Sequence, residues 1–174
     1  MGIDYYAESE KYRPDKIGKS IKKLLVGEAP PSSRKTYFYV PRPISRARPV
    51  EDDNSLPATI FNHYFKKRPE TKDQYIHFLL RLQEKGVFLI DICNDPIKVR
   101  GCSEGVQHII NDIPKLRGQM AERKIQVADR DIIFLLARKN YLKHIRPELP
   151  DSQYIRWKEF RISPERCNDK KYKT

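Results

Sequence analysis

One carboxylate in this chain follows a short apolar run at a point where a ligand could be held. Glu28 stands in the segment Gly27-Glu28-Ala29-Pro30, directly after the run that ends at Val26. A short run that stops at glycine and proline is typical of a buried strand. Glycine lets the backbone approach a ligand closely, and proline restricts the loop that follows. The segment predicts a strand that presents a hydrogen-bond acceptor and a negative charge at the mouth of a sheet.

A second carboxylate occupies the same kind of position. Asp91 lies near the end of the apolar run 87–92, which follows Gly86, and Asn94 comes shortly after it. A run that begins just after a helix-ending glycine is typical of a buried parallel strand entered by a crossover. Ligands of parallel α/β sheets bind beyond the carboxyl ends of the strands. We therefore expect Glu28, Asp91 and Asn94 at one ligand-binding edge.

The long loop after Glu28 carries prolines, basic residues and a run of aromatic residues. It extends to residue 54, with Tyr37-Phe38-Tyr39 near its middle. Loops of this length inside compact domains are usually functional or disordered. Adjacent aromatic rings need something to pack against, so we expect an ordered working surface here.

The remaining apolar runs supply the elements that must position these side chains. Residues 132–136 predict a third buried strand, and residues 154–162 predict a more peripheral fourth strand. Helices are predicted from Ser55, from residues 69–71 to Gly86, over 103–124 with a break at Pro114, and over 137–145. This order predicts one α/β domain with a mainly parallel sheet over residues 1–174, with its core at about 21–165 and a polar tail at 167–174.

Charge and composition narrow the class of protein. The 35 Lys and Arg residues against 23 Asp and Glu residues give a net charge of +12, which favours a phosphate-rich partner. No run approaches the roughly 20 apolar residues of a membrane span, and the N-terminus lacks a secretory signal, so a soluble cytoplasmic protein is expected. An odd count of three cysteines and four histidines without ligand spacing predict neither a disulfide framework nor a metal site, and no cofactor is indicated.

The segment Gly27-Glu28-Ala29-Pro30, with the order of elements after it, resembles the uracil-DNA glycosylase superfamily. It is most similar to the first active-site motif of the thermostable bacterial and archaeal members, and the resemblance covers residues 22–164. The resemblance implies a three-layer sandwich around a four-stranded parallel sheet. It also implies a monomeric, monofunctional enzyme that turns a base out of DNA and hydrolyses its N-glycosidic bond without metal.

The resemblance also implies roles for individual residues. Glu28 matches the carboxylate that positions or activates the attacking water, and Phe38 or Tyr39 matches the aromatic residue that stacks on the base. Asp91 stands where family members place an asparagine that reads the pyrimidine. An ionised carboxylate only accepts hydrogen bonds, so the expected base is uracil or, given Asp91, a modified cytosine that offers an amine. Further implied residues of the base pocket are Gly27, Ala29 and Asn94.

The second motif of the family is incomplete in this chain. Only Ser163-Pro164 stands after the last predicted strand, and no histidine is present there to stabilise the departing base. Either Arg161 or Arg166 supplies the missing donor, or catalysis is weak or lost. Contacts to the DNA backbone are expected from seven basic residues and one serine, namely Arg34, Lys35, Arg42, Arg46, Arg138, Lys139, Arg166 and Ser163.

Two other functions stay open at this stage. One is a nucleic-acid-binding protein of the same fold without catalysis, and the other is an α/β enzyme acting on a nucleotide or phosphorylated metabolite. Structural interpretations also stand beside the functional ones: Glu28 as a capping carboxylate, Asp91 as a buried acid paired with an arginine, and the triplet 37–39 as an apolar plug under the loop.

Overall fold

Four short apolar segments form one parallel sheet. In a computed structural model, which describes residues 5–13, 20–31, 34–44, 55–97, 103–136 and 139–160, the strands are β1 (Lys23–Gly27), β2 (Val87–Asp91), β3 (Ile132–Leu136) and β4 (Gln153–Arg156). Their order is β2-β1-β3-β4, and every neighbouring pair is parallel. The predicted α/β class and parallel sheet are thus confirmed.

Helices connect the strands at the points where helix signals stand in the sequence. The helices are α1 (Tyr5–Glu10), α2 (Leu56–Phe65), α3 (Lys72–Glu84), α4 (Ser103–Asp112), α5 (Leu116–Glu122), α6 (Leu142–Ile145) and α7 (Trp157–Phe160). Ser55 caps α2, its Oγ accepting from Ala58 N at 3.4 Å, and Thr71 caps α3 in the same way. The predicted break at Pro114 is a 3-10 turn between α4 and α5. None of the described helices has the length and apolar character that a membrane crossing would need.

Alternating side chains of the strands bury both faces of the sheet. Leu24 and Val26 of β1 belong to one apolar cluster, which includes side chains of α4, α5 and α6. Leu25 belongs to the other cluster, with side chains of α2, α3 and α7. Strands covered on both faces need apolar residues at every position, which explains the unbroken apolar runs of the sequence. The sheet therefore lies between two helical layers.

The fourth strand is shorter than its sequence pattern indicates. A single strand over 154–162 is wrong, because β4 ends at Arg156, opposite Leu136 at the end of β3, and the chain turns at once into α7. Within the residues that the structure describes, the pairing of β3 with β4 ends at Leu136 and Arg156. Phe160 instead stacks on His63 with ring centroids 4.0 Å apart, and its carbonyl is 2.7 Å from His63 Nδ1.

The chain remains paired for a short distance past β1 and β2. Ile92 N donates to Gly27 O at 2.9 Å, and Cys93 N donates to Glu28 O at 3.1 Å. These bonds hold the two loops side by side at the carboxyl edge of the sheet. The backbone of the segment that carries the side chains of residues 91–95 is therefore held in place by these hydrogen bonds.

Candidate functional site

A cavity of about 300 Å³ opens at the carboxyl ends of β1 and β2. The segment after β2 forms one side of it, through Asp91, Cys93 and Asn94. The size is at the low end for small-molecule sites. It suits a ligand of about one heterocyclic ring with a few polar groups.

Three other parts of the chain complete the wall. Pro30 and Tyr37 come from the loop after β1, Arg13 from the segment after α1, and Arg123 from the end of α5. Polar groups of both signs thus surround a small space. Such convergent polar groups fix the orientation of a ligand.

Asp91 is a buried charged group of this wall, as Arg13 is, and Gly27 makes room for Asp91. Asp91 is 9% exposed and lies opposite Gly27 in the register of β1 and β2. A Cβ atom on Gly27 would overlap Asp91 Oδ1. The orientation of the Asp91 carboxylate therefore depends on the absence of a side chain at position 27.

Tyr37 is the aromatic residue of the cavity wall. Burial raises the pKa of its hydroxyl well above the usual value, and the negative charge of Asp91 acts in the same direction. The charge of Arg13, which forms an ion pair of 2.6 Å with Glu10, opposes the rise. Tyr37 therefore remains a neutral phenol next to the Asp91 charge.

Asn94 is oriented by a neighbouring cation. Arg123 Nη2 donates to Asn94 Oδ1 at 3.3 Å. This bond occupies one of the two acceptor positions of the amide oxygen and orients the amide, whose NH2 group can donate to a ligand. Asp91 and Asn94, predicted to share a site, do line the same cavity.

Glu28 is buried at the same edge but is not part of the described cavity wall. Its side chain is 6% exposed, and its negative charge acts on the phenol of Tyr154 in β4. Burial is the main cause that raises the pKa of Tyr154, Arg156 opposes the rise, and the charges of Glu159 and Glu28 add to it. Of the two carboxylates predicted for the site, Asp91 thus lines the cavity and Glu28 does not.

Gly27 and Ala29 support the site through the backbone and the core. Gly27 lies beneath Asp91, as described, and Ala29 is buried in the apolar cluster that contains Val26. Neither residue brings a polar side chain to the cavity.

Phe38 and Tyr39 lie in the core. Phe38 stacks on Phe61 with centroids 5.6 Å apart. Tyr39 Oη donates to Leu89 O at 2.9 Å and accepts from Leu89 N at 2.8 Å. Because β2 is an edge strand, this hydroxyl pairs backbone groups that no neighbouring strand reaches. Phe38 and Tyr39 thus pack in the core under the loop, which was the structural alternative to a role in base stacking. Their neighbour Tyr37 is the residue of the three that lines the cavity.

We expect Tyr39→Phe to lower the free energy of unfolding by about 1–3 kcal/mol, the cost of leaving buried polar groups without partners. Urea denaturation of the variant and the unmodified protein measures this difference. Unchanged stability would contradict the structural role of Tyr39 and would restore it as a candidate for contact with a ligand.

The predicted DNA-backbone residues divide into three groups. Lys35 and Lys139 are exposed and follow the carboxyl ends of β1 and β3. Arg42 instead donates to Tyr37 O at 3.0 Å and to Val40 O at 3.3 Å, with its guanidinium over the Tyr75 ring. It therefore holds the aromatic loop in place. The side chain of Arg34 and the whole of Arg46, Arg138, Ser163 and Arg166 lie outside the described residues.

Another group of polar side chains adjoins the cavity and was not predicted. Cys93, His108 and Asp112 bring a sulfur, a ring nitrogen and a carboxylate oxygen within 4.8 Å of one another. Burial raises the pKa of the Cys93 thiol to about 12, and its hydrogen bond to Asp112 adds to the rise. A thiol with so high a pKa is a poor nucleophile. One feature of the sequence could have indicated this group. His108 and Asp112 are four residues apart, which places both on one face of a helix.

Comparisons of the chain with protein-family models, with curated proteins and with solved structures found no match.

Proposed function

We propose that this protein is a DNA glycosylase-like enzyme that accepts a pyrimidine turned out of DNA into the cavity beside Asp91. The observation that supports it most is the buried Asp91 carboxylate, which lines a cavity of about 300 Å³ at the carboxyl edge of a parallel sheet. A single base matches the small volume and the polar wall, and enzymes that act on a base take it out of the stack into such a pocket.

The polar groups of the cavity favour a base that carries an amine. Asp91 accepts hydrogen bonds from an exocyclic amine, as a cytosine derivative offers, and repels the carbonyl oxygen of uracil. Asn94 contributes amide donors for the carbonyl oxygen of the same base, because the bond from Arg123 orients its amide. Tyr37 supplies an aromatic ring in the wall. A modified cytosine is therefore the proposed substrate class.

The proposed reaction is hydrolysis of the bond between the base nitrogen and the sugar carbon. A water oxygen attacks the sugar carbon and loses a proton, while the bond to the base breaks and the base leaves with the electron pair and takes up a proton. Glycosidic bonds break through an oxocarbenium-like state, so a nearby anion lowers the barrier. Asp91 and Asp95 line the cavity, and Glu28 is a further carboxylate buried at this edge.

DNA would lie across the carboxyl edge of the sheet. The net charge of +12 and the exposed lysines Lys35 and Lys139, which follow β1 and β3 in the chain, favour a polyanion. Phosphate contacts of this kind supply most of the non-specific affinity of DNA-binding proteins.

A base-release assay tests the proposal. Labelled oligonucleotides that carry uracil, mismatched thymine, 5-hydroxymethylcytosine or glucosylated hydroxymethylcytosine are incubated with the protein and heated in alkali to cut abasic sites. We expect cleavage of a cytosine-type substrate. Asp91→Asn should reduce it about 10- to 100-fold, which corresponds to the ~1.5–3 kcal/mol of a hydrogen bond to a charged group, and should improve release of uracil. Asp151→Asn, at an exposed position outside the described cavity wall, is the control.

If every substrate stays intact, the catalytic proposal fails. The protein could also release a base without using Asp91. If Asp91→Asn and Asp151→Asn release the same base at the same rate, the proposal that Asp91 recognises the amine of the base is contradicted.

A non-catalytic nucleic-acid-binding protein is the second candidate, and the position of Glu28 favours it. A carboxylate that activates water should reach the cavity, yet Glu28 is not among the described residues that line it. Gel-shift assays across a salt series measure this function. Intact substrates together with salt-sensitive DNA binding would support it, because phosphate contacts weaken steeply as salt rises.

A further inference from the structure

We propose that Cys93, His108 and Asp112 form a binding site for a divalent transition metal of the zinc class. The proposal rests on the arrangement of these three side chains and is independent of the proposed function.

Two separate elements bring the ligand atoms together. His108 and Asp112 lie four residues apart on α4, so both side chains project from the same face of the helix. Cys93 reaches this face from the segment after β2, which is held in place by the bond from Cys93 N to Glu28 O. The three ligand atoms lie within 4.8 Å of one another. Tetrahedral coordination needs metal-to-ligand distances of about 2.0–2.3 Å, so the three ligand atoms have to draw closer around a metal, and the exposed His108 side chain has the most space to move.

The two oxygens of Asp112 have different neighbours. Oδ1 pairs with Lys115 Nζ at 2.6 Å, and Oδ2 lies 3.5 Å from His108 Nε2. The oxygen that faces the imidazole is thus the one placed to share a metal with it. Lys115 holds the carboxylate from behind, in the way that second-layer partners orient metal ligands.

The chemistry of the donors selects the class of metal. A thiolate, an imidazole and a carboxylate are the three ligand types that Zn²⁺ uses, whereas Mg²⁺ and Ca²⁺ take oxygen ligands. Three protein ligands leave a fourth position for water or another ligand, as in open zinc sites. Because Cys93 also lines the cavity, this metal would lie next to the cavity wall.

Without a metal, the same side chains would form a hydrogen-bonded cluster. The Cys93 thiol bonds to Asp112, and His108 and Lys115 pair with the same carboxylate. The two interpretations differ in one measurable property, which is stoichiometric binding of a transition metal that depends on His108.

Cobalt titration of the full-length, tag-free, reduced protein makes this measurement. We expect one equivalent of Co²⁺ to produce a thiolate-to-cobalt charge-transfer band, and Zn²⁺ to remove the band by competition. His108→Ala should weaken binding more than about 100-fold, because loss of a second-layer partner alone costs about 10- to 100-fold. His108 is exposed, so the variant should fold. His77→Ala, which removes an exposed histidine from α3 in the other helical layer, should bind as the unmodified protein does.

Two outcomes overturn the proposal. One is the absence of a charge-transfer band at stoichiometric cobalt. The other is a band that His108→Ala retains at the same cobalt concentration, since the metal would then be bound elsewhere. Neither outcome bears on base release, which is measured separately.

Discussion

Gly27→Ala is expected to reduce base release by about 100-fold, the loss that a misplacement of about 1 Å produces in an active site. The added methyl group would overlap Asp91 Oδ1, so the carboxylate has to move from its present position. The carboxylate therefore moves, and the hydrogen bond that we propose between it and the amine of the base is lost.

Gly118→Ala is the matched control for this substitution. Gly118 lies in α5, and a Cβ atom there would have no neighbour within 4 Å. We expect full base release and a gain of about 0.5–1 kcal/mol in stability, because alanine is favoured over glycine inside a helix. Circular dichroism of both variants separates loss of function from loss of folding. Full activity of a folded Gly27→Ala protein would show that the position of Asp91 does not matter for the reaction.

The side chains that could be predicted for the site are those fixed by the strands. Gly27 and Asp91 end two neighbouring parallel strands, so their proximity followed from the apolar runs before them. The choice among Tyr37, Phe38 and Tyr39 could not be predicted, because it depends on where the loop crosses the edge of β2. The pairing of Tyr39 Oη with Leu89 decides it, and nothing in the local sequence indicates that partner.

Contacts between distant elements limited the prediction in two other places. The loose alternation of residues 154–162 favoured a strand, but the described pairing with β3 ends at Leu136 and Arg156, and α7 begins at Trp157. His108 and Asp112 show helical spacing in the sequence, yet Cys93 joins them only because the sheet places β2 beneath α4. Local patterns thus predicted elements, and packing determined which side chains meet.

Gly86 links the fold to the site, because it joins the end of α3 to the start of the sheet. Its carbonyl accepts from Lys22 N at 2.8 Å and from Lys23 N at 3.1 Å. These bonds fix the register in which Lys23 pairs with Val87 and Gly27 pairs with Asp91. A shift of one residue would turn Asp91 to the opposite face of the sheet.

Gly86→Ala is therefore expected to destabilise the protein by about 2–5 kcal/mol, the sum of a left-handed backbone for alanine and close packing against neighbours. Gly86 has a φ of +73°, and a Cβ there would lie 2.9 Å from Lys22 Cγ and 3.0 Å from Ser20 O. Urea unfolding measures the change, again with Gly118→Ala as the control. Equal stability of Gly86→Ala and the unmodified protein would contradict this account, because the turn would then tolerate a side chain. If the folded fraction of Gly86→Ala also releases base slowly, the register set by Gly86 governs the position of Asp91 as well as stability.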